Sequence, residues 1–171
     1  MDFSETLEQL RSKYLINDVD FSCERTRLEY IEMIKCAKPD YFVTLTLAYN
    51  VNEHDAVQAL SKCLWHVSKK IYGRSADDKD NRLQVLPFIE TTANEELHFH
   101  LLVKQPRNRR KKVDLKKIFK QKWKRIDTHG YATFNNDEWF KKIHDIDGIA
   151  KYITKQTYGP NRPLVVECLQ Y

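Results

Sequence analysis

Glu90, His98, His100, Tyr152 and Lys155 are the residues of this sequence whose types and spacing could do chemistry together. The histidines lie in the run Glu96-Leu-His-Phe-His-Leu-Leu-Val-Lys104. A strand alternates its faces, so His98 and His100 project to one side while Leu97, Phe99 and Leu101 take the other. Two neutral imidazoles and a carboxylate make a mixed nitrogen and oxygen site for a divalent cation with open positions. Mg²⁺ or Mn²⁺ holding a phosphate oxygen would suit it. A tyrosine, with an ordinary pKa of roughly 10, is a weak nucleophile at neutral pH unless a cation or general base helps it. Lys155, one helical turn beyond Tyr152, could supply that help or pair with phosphate oxygens. Attack of the phenolate on a phosphodiester would give a phosphotyrosine link and keep the bond energy for rejoining, which hydrolysis would not.

The elements that must position these groups follow from periodicity. Phe3, Leu7, Leu10 and Tyr14 keep a helical interval, and a second helix starts after Ser22 and runs to Ala37, where Pro39 stops it. Tyr41-Phe-Val-Thr-Leu-Thr-Leu-Ala-Tyr49 reads as a strand with Val43, Leu45 and Leu47 on one face and Thr44 and Thr46 on the other. Asn52 caps a helix with Val57, Leu60, Leu64, Val67 and Ile71 on one stripe, closed by Gly73. Leu83 to Thr91 and Glu96 to Lys104 form an antiparallel hairpin. A three-residue loop would set Glu90 directly opposite His98, and a five-residue loop would set it diagonally on the same face. Glu96, also in phase with His98, is the rival for third ligand.

A helix from about Val113 to Arg125 comes next. Tyr131 to Asn135 and Glu138 to His144 read as a hairpin, and a last helix runs from Asp145 or Asp147 to Gly159-Pro160. On that helix Ile146, Ile149, Ala150, Ile153 and Thr157 form the buried stripe, and Tyr152 and Lys155 lie away from it. Together these elements predict an α+β fold with a five-stranded antiparallel sheet and flanking helices. The expected organisation is a single compact unit: residues 1–40 as a helical extension packed on the core, 41–160 as the core, and 161–171 as a tail.

Composition limits what the site can serve. The chain of 171 residues has no room for a second large domain such as a helicase motor. No apolar run nears a bilayer span and the N-terminus lacks signal-peptide features, so a cytoplasmic protein with no membrane partner is expected. Cys23, Cys36, Cys63 and Cys168 are scattered without C-x-x-C spacing and read as reduced, mostly packing thiols. The net charge is only +5, yet Lys104 to Arg125 carries twelve Lys or Arg against one acid, Asp114. Such a run is either a solvated helix face or a footprint for a polyanion. On the second reading Arg107, Arg109, Arg110, Lys111 and Lys112 contact a nucleic-acid backbone, with Thr44, Thr46 and Lys151 near the site.

Taken singly, these features have ordinary explanations. A His-x-His pair can be an exposed cross-strand pair, Tyr152 a packing tyrosine, Lys151 and Lys155 surface lysines, and Thr44 and Thr46 sheet residues. His54, His66, His129 and His144 have no ligand spacing. Their conjunction has a different meaning. His98-Phe-His100 followed by Gly148-Ile-Ala-Lys-Tyr152-Ile-Thr-Lys155 resembles the HUH endonuclease superfamily, in its single-tyrosine rolling-circle replication initiator branch. Phe42-Val-Thr-Leu-Thr46 is similar to the strand motif that precedes the histidines there, and Gly148 stands where two-tyrosine relatives carry a first tyrosine.

The resemblance spans about Tyr41 to Gly159. It implies an RRM-like or ferredoxin-like core and metal-dependent nicking of single-stranded DNA or an origin hairpin. It also implies a 5′-phosphotyrosine on Tyr152, a metal held by His98, His100 and Glu90, and a bacterial or phage-encoded protein that borrows strand separation, from a host helicase for example. A REP-associated single-strand transposase and a non-catalytic RRM-like nucleic-acid-binding module are the other readings.

Overall fold

The computed structural model describes residues 23–47, 51–78, 81–91, 96–106, 113–126, 134, 137–156 and 163–169. In chain order these form helix α1 (Cys23–Ala37), strand β1 (Tyr41–Thr46), helix α2 (Glu53–Tyr72), strands β2 (Val85–Thr91) and β3 (Leu97–Val103), helix α3 (Leu115–Trp123), strand β4 (Phe140–Lys142) and helix α4 (Ile146–Ile153). Short 3₁₀ turns occupy Gly73–Asp77, Asp137–Trp139, Thr154–Gln156 and Val166–Cys168. The expected helix around residues 3–14 lies outside the described residues.

Local chemistry sets the helix ends. Lys38 adopts φ +46° and returns its N–H to the Ile34 carbonyl at 3.2 Å, and Pro39 then removes the donor that a further turn would need. The Asn52 side chain accepts the Asp55 N–H at 2.9 Å, and Gly73 ends α2 at φ +63°. Asp114 and Asp145 cap α3 and α4 in the same way, accepting from Lys117 at 3.0 Å and from Gly148 at 2.9 Å. Each such cap satisfies an amide that the helix itself cannot, and is worth about 1 kcal/mol.

The sheet is antiparallel with strand order β2-β3-β1-β4. Alternation sorts its side chains into two cores. Val43, Leu45, Val85, Phe99, Leu101 and Val103 pack with α2 and α3, while Phe42, Leu86, Phe88 and Leu102 pack with α1 and α4. Full burial of each such side chain contributes roughly 1.5–3 kcal/mol, so the sheet is clamped from both sides.

Two features of the sheet depart from the sequence reading. It has four strands among the described residues rather than five. Most of the expected strand at 131–135 lies outside them, and Glu138–His144 becomes a 3₁₀ turn followed by the short β4. The free edge of β2 is instead lined by Pro163–Val165, read from sequence as tail. The Ile89 N–H donates to Pro163 O at 2.7 Å, and the Val165 N–H donates to Pro87 O at 2.9 Å. Pro87 tolerates a strand position because residues 87 and 89 turn their backbone groups toward this edge, so its missing N–H is not taken from the β3 ladder. No helix among the described residues is long and apolar enough to cross a membrane.

Cys63 and Cys168 are buried and Cys36 is exposed. Burial pushes the Cys63 thiol far up and raises Cys168 to about 12, which suppresses the reactive thiolate. Brief alkylation of the native protein with iodoacetamide, read by peptide mass mapping, is expected to label Cys36 and to spare Cys63 and Cys168 until denaturant is added. Labelling of Cys63 in the native protein would contradict this packing.

Candidate active site

The register of the central strands places the polar side chains at one end of the sheet. Glu90 pairs with His98, Phe88 with His100, Thr44 with His100 and Thr46 with His98. Glu90 therefore takes the directly opposite position, but its side chain runs diagonally. Glu90 Oε2 lies 2.7 Å from His100 Nε2, and Lys155 Nζ donates to Glu90 Oε1 at 2.9 Å. On the other side of the imidazole, Thr44 Oγ1 is 3.3 Å from Nδ1. His98 turns toward Glu96, with Nε2 and Oε2 3.8 Å apart.

Tyr152 and Lys155 reach this cluster from α4. Ala150 and Ile153 are buried against the sheet, leaving Tyr152 45% exposed at the site's surface. The α-helix was expected to run to Gly159-Pro160 but ends at Ile153, where Thr154 Oγ1 donates back to Ala150 O at 2.7 Å and the chain tightens into a 3₁₀ turn. A 3₁₀ turn eclipses residues three apart. That tightening carries Lys155 Nζ to 4.1 Å from the centre of the Tyr152 ring.

Phe42 is a member of this site that the sequence reading did not single out. Its ring stacks on His100 at 5.2 Å and meets Tyr152 edge-on at 6.2 Å, and the His100 and Tyr152 rings are 5.6 Å apart. The signal was available, since Phe42 alternates onto the same face as Thr44 and Thr46.

The charges are mutually dependent. Burial opposes ionisation of Glu90, but the hydrogen bonds from Lys155 and His100 outweigh it and hold the carboxyl below its ordinary value. Burial lowers the His100 pKa, Glu90 only partly offsets this, and His98 and Lys155 push the same way as burial. Burial would lower Lys155 too, yet the Glu90 hydrogen bond and charge, with Tyr152, raise it, so it is an ammonium at neutral pH. A neutral His100 beside an ionised Glu90 carries its proton on Nε2 and accepts from the Thr44 hydroxyl at Nδ1. A hydroxyl can also reverse that bond and accept from Nδ1–H, freeing Nε2 as a ligand.

Among the described residues no three His, Cys, Asp or Glu side chains converge as a ready metal cluster. What converges is a pair: His100 Nε2 and Glu90 Oε2, 2.7 Å apart, are close to the roughly 3 Å that separates neighbouring ligands of a small octahedral ion. In donor chemistry the pair fits a divalent cation. His98, on the same face, would complete the set by leaving Glu96.

Other expected contacts lie elsewhere. Lys151 is exposed on α4, while Arg107, Arg109, Arg110, Lys111 and Lys112 lie outside the described residues. The described part of the basic run, α3, packs on the opposite face of the sheet from the histidines. Leu115, Phe119 and Trp123 are buried there, and the Trp123 indole donates to Thr46 O at 3.0 Å.

These features define an α+β domain with a polar, titratable cluster at one end of its sheet and a tyrosine helix beside it. The family model for the replication-associated protein ORF2 family matches residues 40–157, more than half of the chain, and the chain belongs to that family. The membership is consistent with a rolling-circle replication initiator. No curated protein and no solved structure matches the chain.

The depressed pKa values of His100 and Glu90 give stability that is present above their ordinary values and lost as pH falls through them. In chelator, the Tm is therefore expected to decline as pH drops below about 6.5, and further below about 4.5. His100→Gln should flatten the first limb of a calorimetric pH series. An equally steep limb in the variant would mean that His100 is not the group responsible.

Proposed function

We propose that this protein nicks and rejoins single-stranded DNA at a specific site, through a 5′-phosphotyrosine on Tyr152, to initiate rolling-circle replication of a plasmid, phage or other mobile element. The observation that carries the reading is the position of Lys155 Nζ, 2.9 Å from Glu90 and 4.1 Å from the Tyr152 ring centre, which joins the tyrosine motif to the histidine strand. Membership of a replication-associated family supports the same reading.

His100, Glu90 and His98 would hold Mg²⁺ or Mn²⁺, which would polarise a phosphate oxygen and offset the charge that builds there. Tyr152, at the exposed rim of the site, attacks the phosphorus. A bond forms from the phenolic oxygen to phosphorus, the phenolic proton passes to solvent, and the bond from phosphorus to the 3′ oxygen breaks, releasing a 3′ hydroxyl. Lys155, being already protonated, acts as a fixed positive charge beside the attacking oxygen rather than as a base. Phe42 walls the Tyr152 and His100 rings from one side and limits the phenol's rotation. Rejoining runs the same steps in reverse, with the 3′ hydroxyl as nucleophile.

Incubation with Mn²⁺ and a pool of single-stranded oligonucleotides is expected to yield a protein–DNA adduct that survives denaturation and disappears with EDTA. Tyr152→Phe should abolish it, a loss of at least about a thousandfold, since no other group replaces a covalent nucleophile. Failure of the unmodified protein to form any adduct would refute the enzymatic reading and favour a binding module. An adduct formed by Tyr152→Phe would refute the nucleophile.

Thr44→Val should weaken Mn²⁺ binding by roughly ten- to a hundredfold in calorimetry, because it removes the partner that sets the His100 tautomer. Unchanged Mn²⁺ affinity would take Thr44 out of that role.

A further inference from the structure

We infer that Arg27, on the N-terminal helix, is a phosphate-binding group of this site, contacting the DNA strand that lies across it. The inference rests on the nicking reading and adds a residue outside the 40–157 segment that defines the family.

The direction of α1 places Arg27. Lys104 Nζ reaches Ala37 O at 3.5 Å, which sets the C-terminal end of the helix at the end of the sheet where Val85 and Tyr41 pair with Val103. Farther back, the Tyr30 ring meets Phe88 edge-on at 6.2 Å. The rise from Ala37 to Tyr30 is roughly 10 Å at about 1.5 Å per residue, matching the rise from Val85 to Phe88 at about 3.3 Å per residue. Helix and strand thus run alongside each other, and one more turn brings Arg27 to the level of Glu90. Lys35 Nζ pairs with Asp147 Oδ1 at 2.9 Å, so α4 runs antiparallel to α1, and Thr154–Gln156 packs against α1. Lys155 belongs to that turn.

The side chain itself points inward. Arg27 lies three residues before Tyr30 and seven before Ile34, on the stripe that buries Tyr30, Ile34 and Ala37. Its Nε is buried, and among the described residues it has no hydrogen-bond partner. A guanidinium remains charged at any working pH, and a buried N–H without an acceptor is destabilising, so the position is poor as packing. Both oxygens of the nearby Glu90 are already engaged, by His100 and Lys155. A phosphodiester supplies what is missing: two acceptor oxygens with a negative charge, matched to the fork of an arginine.

The test is binding, kept apart from cleavage by using a Tyr152→Phe background. Anisotropy of a fluorescent mixed-sequence single-stranded oligonucleotide is measured over a range of salt for the parent, Arg27→Met and Arg27→Lys, alongside thermal unfolding without DNA. Arg27→Met should bind about tenfold or more weakly, with a salt slope shallower by about 0.7, the contribution of one phosphate on a single strand. It should unfold at no lower temperature than the parent. Arg27→Lys should restore the slope but only part of the affinity. Unchanged affinity and slope in Arg27→Met, with or without a lower Tm, would overturn the inference and leave the nicking reading standing. If Arg27→Met does not fold, Arg27→Gln serves in its place with the same expected loss. A parent that binds no single strand would overturn both.

Discussion

The Glu90 carboxylate divides its two oxygens between the sheet and a helix, one on His100 and the other on Lys155. Removing a carboxylate from water is unfavourable by several kcal/mol unless charged partners replace the hydration. Here the replacement comes from a neighbouring strand and from a helix that arrives about fifty residues later in the chain. The seating of α4, the aim of Tyr152 and the tautomer of His100 are therefore set through a single side chain. A divalent cation competing for that carboxylate would loosen Lys155 as it binds, so loading the site and freeing the ammonium for a phosphate are linked steps.

The two faces of the sheet do different work. The face under α2 and α3 is almost wholly apolar, and the face under α1 and α4 is apolar for half its length and polar at the end that holds Glu90, His98 and His100. The basic α3 belongs to the apolar layer's outer side, so a strand crossing the histidines does not meet it on the same face. Cations closer to Tyr152, namely Lys151, Lys155 and the inward-turned Arg27, are better placed to hold the local backbone. Gly148 adds a local constraint. A Cβ there would press on the Asp145 carboxylate that caps α4, so a second tyrosine at this position would displace the helix's own cap.

Much of this was legible beforehand because it follows from periodicity. Alternation in Tyr41–Thr46 and Leu97–Val103 identifies the strands and the shared face of Thr44, His98 and His100. The interval from Ile146 to Ile153 separates a buried stripe from Tyr152, and the register left open by the hairpin resolved to the directly opposite one. Other features depend on contacts that no local pattern encodes. The diagonal reach of Glu90 to His100 is a choice of rotamer, made because Lys155 waits on the far side. The early end of α4 comes from a threonine bonding backward, which a propensity scale treats as neutral. Arg27 reads as an ordinary surface charge until the helix is docked, and Pro163–Val165 offers too short a run to announce a strand.

That last segment has a consequence beyond its few hydrogen bonds. A four-stranded sheet ending at β2 would expose a row of unpaired amides and carbonyls along Pro87 and Ile89, an edge onto which a second copy could zip. With Pro163–Val165 in place that row is already satisfied, and a proline within it offers no donor to an incoming chain. Self-association by strand addition is thereby blocked on the side of the sheet nearest Glu90. The cluster stays open to a ligand instead of being sealed by a sister molecule.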